Sequence, residues 1–178
     1  MLSLTTNTNN MRQLSLLITV LFLTAFAAPP VTYKVITIAD GDTFTILEND
    51  KPVRIRVDAI DAPEKGMPFA KASKKYLSAL CFGKMVTVHA VTIDRYGRTV
   101  ARASLPNGKD ISTEMIRAGY AWHYKKYSKD VLLSNLEIQA RKSRAGLWKD
   151  KEPVAPWEIR KLHRKGISTK QFIEANRQ

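Results

Sequence analysis

Residues 40–64, with the sequence DGDTFTILENDKPVRIRVDAIDAPE, decide the fold of this chain. Two apolar, β-branched runs, Thr43–Leu47 and Val53–Ile60, are separated by turn-forming residues, which predicts an antiparallel pair of strands. Acidic motifs stand at the open end of this hairpin, before its first strand and at the end of its second: Asp40-Gly41-Asp42-Thr43 and Asp58-Ala59-Ile60-Asp61-Ala62-Pro63-Glu64. The hairpin therefore predicts that carboxylates distant in the chain meet in space.

The alternation of side chains along the two runs suggests how they pair. With residues 49–52 as the loop, Ile46 opposes Ile55 and Phe44 opposes Val57, so apolar side chains share one face. A slip by one residue would set these apolar side chains against charged ones. We therefore expect this register.

The same register brings two aspartates together. Asp42 opposes Ala59, and Asp61 lies two residues further along on the same face, where diagonal neighbours are about 7–8 Å apart. Two carboxylates beside an apolar face repel each other and lose hydration, and a bound cation removes both costs. Because the motifs contain no His or Cys, their oxygen atoms favour a hard cation such as Ca²⁺ or Mg²⁺. The alternative is that Asp40-Gly41-Asp42 is a turn with solvated side chains.

Strand geometry also raises a difficulty for the neighbouring arginines. In a regular strand, Arg54 and Arg56 point away from the face that carries Val57. The strand therefore has to twist or bulge before Arg56 can join Asp61, as strands near functional sites often do.

The rest of the chain supplies the remaining elements of a small mixed fold. Period-two alternation predicts three further strands, and helical spacing bounded by Gly or Pro predicts three helices. The strands are Val31–Ile38, Met85–Ile93 and Arg98–Leu105, and the helices are Pro68–Phe82, Ile111–Ala118 and Asp130–Ala145. This order predicts a mainly β, α+β fold: a five-stranded OB barrel with three helices.

An apolar run near the N-terminus predicts a targeting segment. Arg12 precedes the run, which ends in Ala25-Phe26-Ala27, the small-x-small pattern that precedes a signal peptidase cut. We expect residues 1–27 to be a signal peptide, with translation starting at Met1 or Met11. Export to the periplasm or the medium follows, and the alternative is an uncleaved N-terminal anchor.

Charge and cysteine content narrow the partners and the chemistry. Lys and Arg number 29 against 16 Asp and Glu, a net charge of +13, which favours a phosphate-rich partner or an anionic membrane face.

We divide the mature chain into an OB-fold domain, 28–150, and a basic C-terminal extension, 151–178. Within the extension, Trp157–Lys165 is either a basic helix that contacts phosphate or a solvated tail, and we expect the tail. The single cysteine, Cys81, excludes an intramolecular disulfide, and its apolar setting predicts a buried thiol.

Taken together, these motifs resemble the thermonuclease, or staphylococcal nuclease-like, family of secreted Ca²⁺-dependent nucleases. The resemblance covers about Val31 to Trp157 and implies an OB barrel with three helices. It rests on several motifs in the same order, namely the two acidic motifs, Arg54-Ile55-Arg56-Val57, Asp94-Arg95-Tyr96-Gly97-Arg98, Ile116-Arg117-Ala118-Gly119-Tyr120-Ala121-Trp122 and Ala145-Gly146-Leu147-Trp148.

The resemblance implies how the acidic residues act. Asp42 and Asp61 would bind Ca²⁺ through their side chains, and Ala62, where many relatives have Thr, through its backbone carbonyl. Asp40 would support these ligands from behind. Glu64 would be the general base that positions or deprotonates the attacking water.

Two arginines would bind the scissile phosphate. The resemblance gives this role to Arg56 and Arg98, and the chemistry favours it independently. In-line attack on a phosphodiester adds charge to the equatorial oxygens, and a planar guanidinium can donate to two of them at once.

The remaining matching positions would contact the nucleotide. Arg95 and Tyr96 match residues that touch a terminal phosphate. Tyr127 matches the aromatic residue that packs on the base, with Tyr124 as the alternative.

We therefore expect an exported Ca²⁺-dependent endonuclease that hydrolyses DNA and RNA and leaves 3′-phosphate ends. We expect a monomer with no stable membrane association once the signal is removed. One rival is a nucleic-acid-binding OB module without catalysis, which retention of Asp42, Asp61, Glu64, Arg56 and Arg98 argues against. Another is an exported protein that binds membrane or surface polyanions, which explains the charge and none of the carboxylates.

Overall fold

A closed five-stranded β-barrel forms the centre of residues 30–175, the part of the chain that the computed structural model describes. The strands are β1 (Thr32–Ile38), β2 (Thr43–Glu48), β3 (Lys51–Val57), β4 (Ile60–Asp61), β5 (Met85–Ile93), β6 (Thr99–Ser104) and β7 (Trp122–His123), with β4 and β7 paired in a separate small sheet. Around the barrel the strands follow the order β1-β2-β3-β6-β5; β3 and β6 are parallel and the other neighbours antiparallel. The predicted OB-type barrel is confirmed.

Within residues 30–175, five α-helices accompany the barrel. They are α1 (Ala70–Cys81), α2 (Ile111–Arg117), α3 (Val131–Lys142), α4 (Pro156–Arg164) and α5 (Thr169–Ala175), with a short 3-10 helix at Gly146–Lys149. The first three are the predicted helices, shorter by at most three residues at either end. The carboxylates of Asp110 and Asp130 accept backbone N–H groups at the starts of α2 and α3, as N-cap residues do. The last two helices belong to the C-terminal extension.

The predicted pairing of β2 with β3 is wrong by two residues. Phe44 lies opposite Ile55 and Ile46 opposite Val53, because the turn contains only Asn49 and Asp50. Both turn residues adopt positive φ, 49° and 59°, the conformation that tight two-residue hairpin turns require. A shift of two keeps every side chain on its predicted face, so the aspartates are still brought together.

The third strand is also shorter than predicted, since β3 stops at Val57 instead of continuing to Ile60. The chain turns at Asp58 and Ala59, and Ala59 has a positive φ of 64°. This turn replaces the expected twist or bulge. It starts the separate strand β4 in a new direction, which lets Asp61 face Arg56.

The core fills the barrel and the space under α1, α2 and α3. The largest cluster includes Phe44, Ile55, Leu77, Met115 and Leu133, all buried. A second, smaller cluster around Trp122 and Trp148 lies beside β7 and the 3-10 helix. The largest cluster also includes side chains of β2, β3 and β4, the strands beside the acidic motifs.

The predicted signal peptide, residues 1–27, lies outside the described residues and stays a prediction. Among residues 30–175, no helix is long and apolar enough to cross a membrane.

Candidate active site

Asp42 joins the two acidic motifs directly. Its side chain is buried, and its Oδ2 accepts the backbone N–H of Ala62 at 2.7 Å. Its Oδ1 accepts the hydroxyl of Thr43 at 3.0 Å. These hydrogen bonds fix the carboxylate between the end of the loop before β2 and the end of β4. The Asp42 side chain is therefore buried and held by hydrogen bonds within the site, and it is not a solvated turn residue.

Arg56 bridges the two aspartates of the predicted metal site. Its Nε lies 3.3 Å from Asp42 Oδ1, and its Nη2 donates to Asp61 Oδ1 at 3.0 Å. Its Nη1 donates to the carbonyl of Val57 at 2.7 Å. Asp61 is only 1% exposed, so these charge-assisted bonds lie where water screens them little. The structure thus brings together Asp42, Asp61 and Arg56 as the sequence predicts.

Arg98 joins the same group from the turn before β6. Its Nη1 donates to Thr43 Oγ1 at 3.3 Å, next to Asp42. Its Nε donates to Asp94 Oδ2 at 2.7 Å, and Asp94 Oδ1 accepts the backbone N–H groups of Tyr96 and Arg98. Burial alone would raise the pKa of Asp94, but these hydrogen bonds outweigh it and lower that pKa. Asp94 is the residue that orients Arg98, a role that the sequence analysis did not assign.

A further arginine at this site, which sequence reasoning missed, comes from α4. Arg160 Nη2 donates to Asp61 Oδ2 at 2.6 Å, and its Nη1 donates to Asp61 Oδ1 at 3.1 Å and to Glu64 Oε1 at 2.7 Å. The expectation of a solvated tail at Trp157–Lys165 is therefore wrong. Pro156 at the first helical position was a usable signal for a helix there, but nothing in the sequence indicated which basic residue points inward.

Burial shapes the electrostatics of the carboxylates. It is the main reason that the pKa of Asp61 is raised, and the charge of Asp42 adds to this while Arg160 and Arg56 oppose it. Asp40, whose Oδ1 accepts the N–H of Asp42 at 3.1 Å, has its pKa raised to about 6 by burial and by the charge of Asp42. Positive charge is needed here to keep the carboxylates ionised.

The donor set fits a hard divalent cation. Within residues 30–175, no three His, Cys, Asp or Glu side chains converge as they would in an all-side-chain metal site. Asp42 and Asp61 do meet, linked through one guanidinium, and Ca²⁺ or Mg²⁺ held by two carboxylates takes its other oxygens from carbonyls, water and substrate. Ala62 lies at the same point, and its N–H already bonds to Asp42.

The residues predicted to contact the nucleotide lie in two places, the turn before β6 and the segment after β7. Arg95 and Tyr96 are in the turn before β6, where Arg95 Nη2 donates to the Tyr96 hydroxyl at 2.7 Å. Tyr127 is 67% exposed and packs its edge against Tyr124. The ring of Tyr124 is in turn stacked on Trp157 of α4, 5.4 Å between centroids. Of the two candidate base-stacking tyrosines, Tyr127 is the more exposed.

Comparison with known proteins supports one family. Residues 54–150, more than half of the chain, match the model of the family described as staphylococcal nuclease homologue. A protein named uncharacterized endonuclease from Escherichia coli is 42% identical over 132 residues, 74% of this chain and 85% of the relative. The micrococcal nuclease of Shigella flexneri is 37% identical over 138 residues, 72% of this chain and 79% of the relative. A staphylococcal-like nuclease, CAN1, of Arabidopsis thaliana is 40% identical over 133 residues, 72% of this chain and 41% of the relative.

Fold, site and relatives agree on a class of enzyme. The closed OB-type barrel brings acidic and arginine side chains together at one site, and relatives that match the chain are named as nucleases. The chain belongs to the staphylococcal nuclease homologue family and is a nuclease.

Proposed function

We propose that the chain is a Ca²⁺-dependent endonuclease that hydrolyses phosphodiester bonds in both DNA and RNA. The observation that carries this proposal is the bridge that Arg56 makes between Asp42 and Asp61, at 3.3 and 3.0 Å. Two buried carboxylates and a guanidinium at one point provide both a cation site and a phosphate site. The resemblance to thermonucleases supports Ca²⁺ as the cation.

The cation is held by Asp42, Asp61 and the backbone carbonyl of Ala62, with Asp40 behind them. Its side chain lies within hydrogen-bonding reach of the N–H of Asp42, so Asp40 fixes the loop that presents that ligand. When bound, the cation supplies positive charge that stabilises the extra negative charge of the transition state.

Arg56 and Arg98, both of which lie beside Thr43, bind the scissile phosphate. Their side chains are partly exposed, 12% and 22%, while their carboxylate partners hold the guanidinium planes in fixed orientations. Charge that develops on the phosphate oxygens therefore meets donors that are already in place. Because these charge-assisted contacts are made to the phosphates of the nucleic acid and not to its bases, they also predict little preference for base sequence.

Glu64 acts as the general base. Its side chain is 30% exposed, whereas that of Asp61 is 2% exposed, so of these two carboxylates only Glu64 has ready access to water. It can accept a proton from the attacking water while the arginines hold the phosphate. Arg95, Tyr96 and Tyr127 contact the flanking nucleotide.

The product and the location follow from the same resemblance. Cleavage of the P–O5′ bond leaves a 3′-phosphate, and the N-terminal apolar run sends a monomeric enzyme to the periplasm or the medium. The monomer is not stably associated with a membrane.

The experiment is a digestion of single-stranded DNA and of RNA with Ca²⁺, Mg²⁺ or chelator side by side. We expect cleavage with Ca²⁺, none with chelator, and products that become substrates for a 5′-kinase without prior phosphatase treatment. Cleavage that persists in chelator contradicts the metal role, and products that carry 5′-phosphates contradict the bond assignment. Mass spectrometry of the mature protein, with a first residue after 27, tests export.

A further inference from the structure

Arg160 reaches the carboxylates from a part of the chain that the match to the family model does not include. The matched residues end at 150, and Arg160 lies ten positions later on α4. It nevertheless contacts both oxygens of Asp61 and one of Glu64, at 2.6 to 3.1 Å. No residue described at this site makes more contacts with the carboxylates of Asp42, Asp61 and Glu64.

This ion pair differs from an ordinary surface salt bridge. The Asp61 side chain is 2% exposed and that of Arg160 is 33% exposed, so the pair is screened far less than exposed pairs, which contribute little. Hydrogen bonds to Asp61 and Glu64 outweigh the effect of burial and raise the pKa of Arg160 above its usual range. The guanidinium therefore stays charged and neutralises a buried carboxylate.

The helix that carries Arg160 is held by other contacts. Ile159 is buried, and Trp157 packs against the cluster around Trp122 and Trp148. Trp157 is also stacked on Tyr124, with 4° between the ring planes. The backbone of α4 is thus anchored without Arg160, and the arginine side chain can leave the carboxylates while the helix stays.

A cation and Arg160 need the same atoms. Asp61 Oδ1 accepts from both Arg56 and Arg160, and its Oδ2 accepts from Arg160. A carboxylate oxygen offers about two acceptor sites, and a divalent cation repels a guanidinium placed beside it. These bonds fill both acceptor sites of Oδ1 and one of Oδ2, so a cation bound to Asp61 would lie beside the guanidinium of Arg160 and repel it.

We propose that Arg160 is a positioning residue of the active site, one that holds Asp61 and Glu64 in place before the cation binds and is displaced from Asp61 when it does. This inference rests on the proposed Ca²⁺ site. The C-terminal extension thereby sets the Ca²⁺ affinity of the nuclease. The extension lowers the Ca²⁺ affinity, and it keeps the carboxylates ordered before Ca²⁺ binds.

The test measures Ca²⁺ binding to the full mature chain by calorimetry, without substrate. Arg160→Gln removes the competing charge, and we expect the dissociation constant for Ca²⁺ to fall about tenfold, the effect of roughly one charge-assisted hydrogen-bonded pair. Arg160→Lys keeps the charge and loses the bidentate geometry, so its dissociation constant for Ca²⁺ should lie between those of Arg160→Gln and the wild type. Arg164→Gln, on the exposed face of the same helix, is the matched control for a general change in net charge and should leave the affinity within about twofold.

A second readout uses thermal unfolding of the same proteins. In chelator, Arg160→Gln should unfold at a lower temperature than the wild type, because Asp61 loses one of its two arginine partners. With saturating Ca²⁺ the gap should shrink, since the cation replaces the arginine. A gap of equal size in Ca²⁺ and chelator would overturn the proposal.

The outcomes separate this inference from the proposed function. Wild type that binds no Ca²⁺ overturns both. Wild type that binds Ca²⁺ while Arg160→Gln binds it equally or more weakly overturns the role of Arg160 alone. An Arg164→Gln effect as large as that of Arg160→Gln also overturns it, because net charge would then explain the result.

Discussion

Gly41 and Ser73 pack so closely that a Cβ atom added to Gly41 would lie 2.8 Å from the Cβ of Ser73 and 2.7 Å from that of Ala62. The contact joins the loop before β2 to α1 and to the end of β4. The first acidic motif therefore depends on glycine at position 41 for close approach, and the position of Asp42 depends on that approach.

Gly41→Ala should destabilise the protein by about 1–3 kcal/mol, because neither neighbour can move without disturbing packed backbone. Urea unfolding measures the change in the free energy of unfolding. The same substitution should weaken Ca²⁺ binding, because it pushes Asp42 away from Asp61. Combining it with Ser73→Gly should recover part of the stability, and a purely additive double variant would show that the two residues do not clash.

Arg56→Lys should lower turnover of single-stranded DNA by about 10²–10³-fold, the usual loss when one transition-state donor is removed. Lysine keeps the charge but cannot bridge Asp42 and Asp61 with separate nitrogens. Arg54→Lys is the matched control, since Arg54 lies two residues away on the same strand and is exposed. Equal activity of the two variants would contradict the proposed role of Arg56 in binding the scissile phosphate.

Glu64→Gln should lower kcat by at least about 10²-fold, because the amide cannot take a proton from water. Affinity for a single-stranded oligonucleotide, measured by anisotropy with Ca²⁺ present, should change little. Asp50→Asn, which also removes one negative charge at an exposed position, controls for the change of net charge. Loss of binding with kcat unchanged would make Glu64 a substrate-binding residue instead of the base.

The barrel and most of the site could be predicted because they depend on alternation along the strands. The predicted bounds of Met85–Ile93 match β5, and Asp42, Asp61 and Arg56 meet as expected. The error in the hairpin register came from turn conformation, since Asn49 and Asp50 both adopt positive φ and the sequence allows longer turns equally well.

Arg160 could not be predicted for a different reason. Its side chain reaches Asp61 only because Trp157 and Ile159 dock α4 beside β7, and that docking is a tertiary contact without a local pattern. In a chain with 29 Lys and Arg, a basic helix gives no indication of which charge faces inward. The turn at Asp58 and Ala59 could not be predicted either, because nothing in the sequence indicates that an alanine will adopt positive φ.

Asp94→Asn should destabilise the protein in a pH-dependent way. Because the pKa of Asp94 is lowered in the folded state, its ionised form stabilises the protein at pH values above the unfolded pKa, about 3.9. That contribution is lost as the pH falls through the lowered folded value. The difference in unfolding free energy between wild type and Asp94→Asn should therefore be largest near neutral pH and shrink below about pH 4.

The control for this pH effect is Asp50→Asn, which removes the same charge at the exposed turn between β2 and β3. Activity offers a second check, since Asp94 orients Arg98 through two side-chain contacts at 2.7 Å. A difference for Asp94→Asn that grows toward low pH would contradict the lowered pKa.

Cys81 offers a probe of how the cation stabilises the whole domain. Its thiol is buried, donates to the carbonyl of Leu77 at 3.2 Å, and has its pKa raised to about 12 by burial. Since the thiolate is the reactive form, native protein at pH 8 should not react with a disulfide reagent on the time scale of an unfolded control. Labelling then requires opening of α1 from the barrel, and its rate follows the population of opened protein.

Ca²⁺ should slow this labelling. A ligand that binds only the folded state at 100 times its dissociation constant stabilises it by about 2.7 kcal/mol, which lowers the opened population about 100-fold. The rate of Cys81 labelling should fall by that factor in the wild type and stay unchanged in Asp61→Asn, which loses a proposed ligand. If native protein is labelled fast, or if the wild type is labelled equally slowly with and without Ca²⁺, then Cys81 labelling does not report the stabilisation of the fold by the cation.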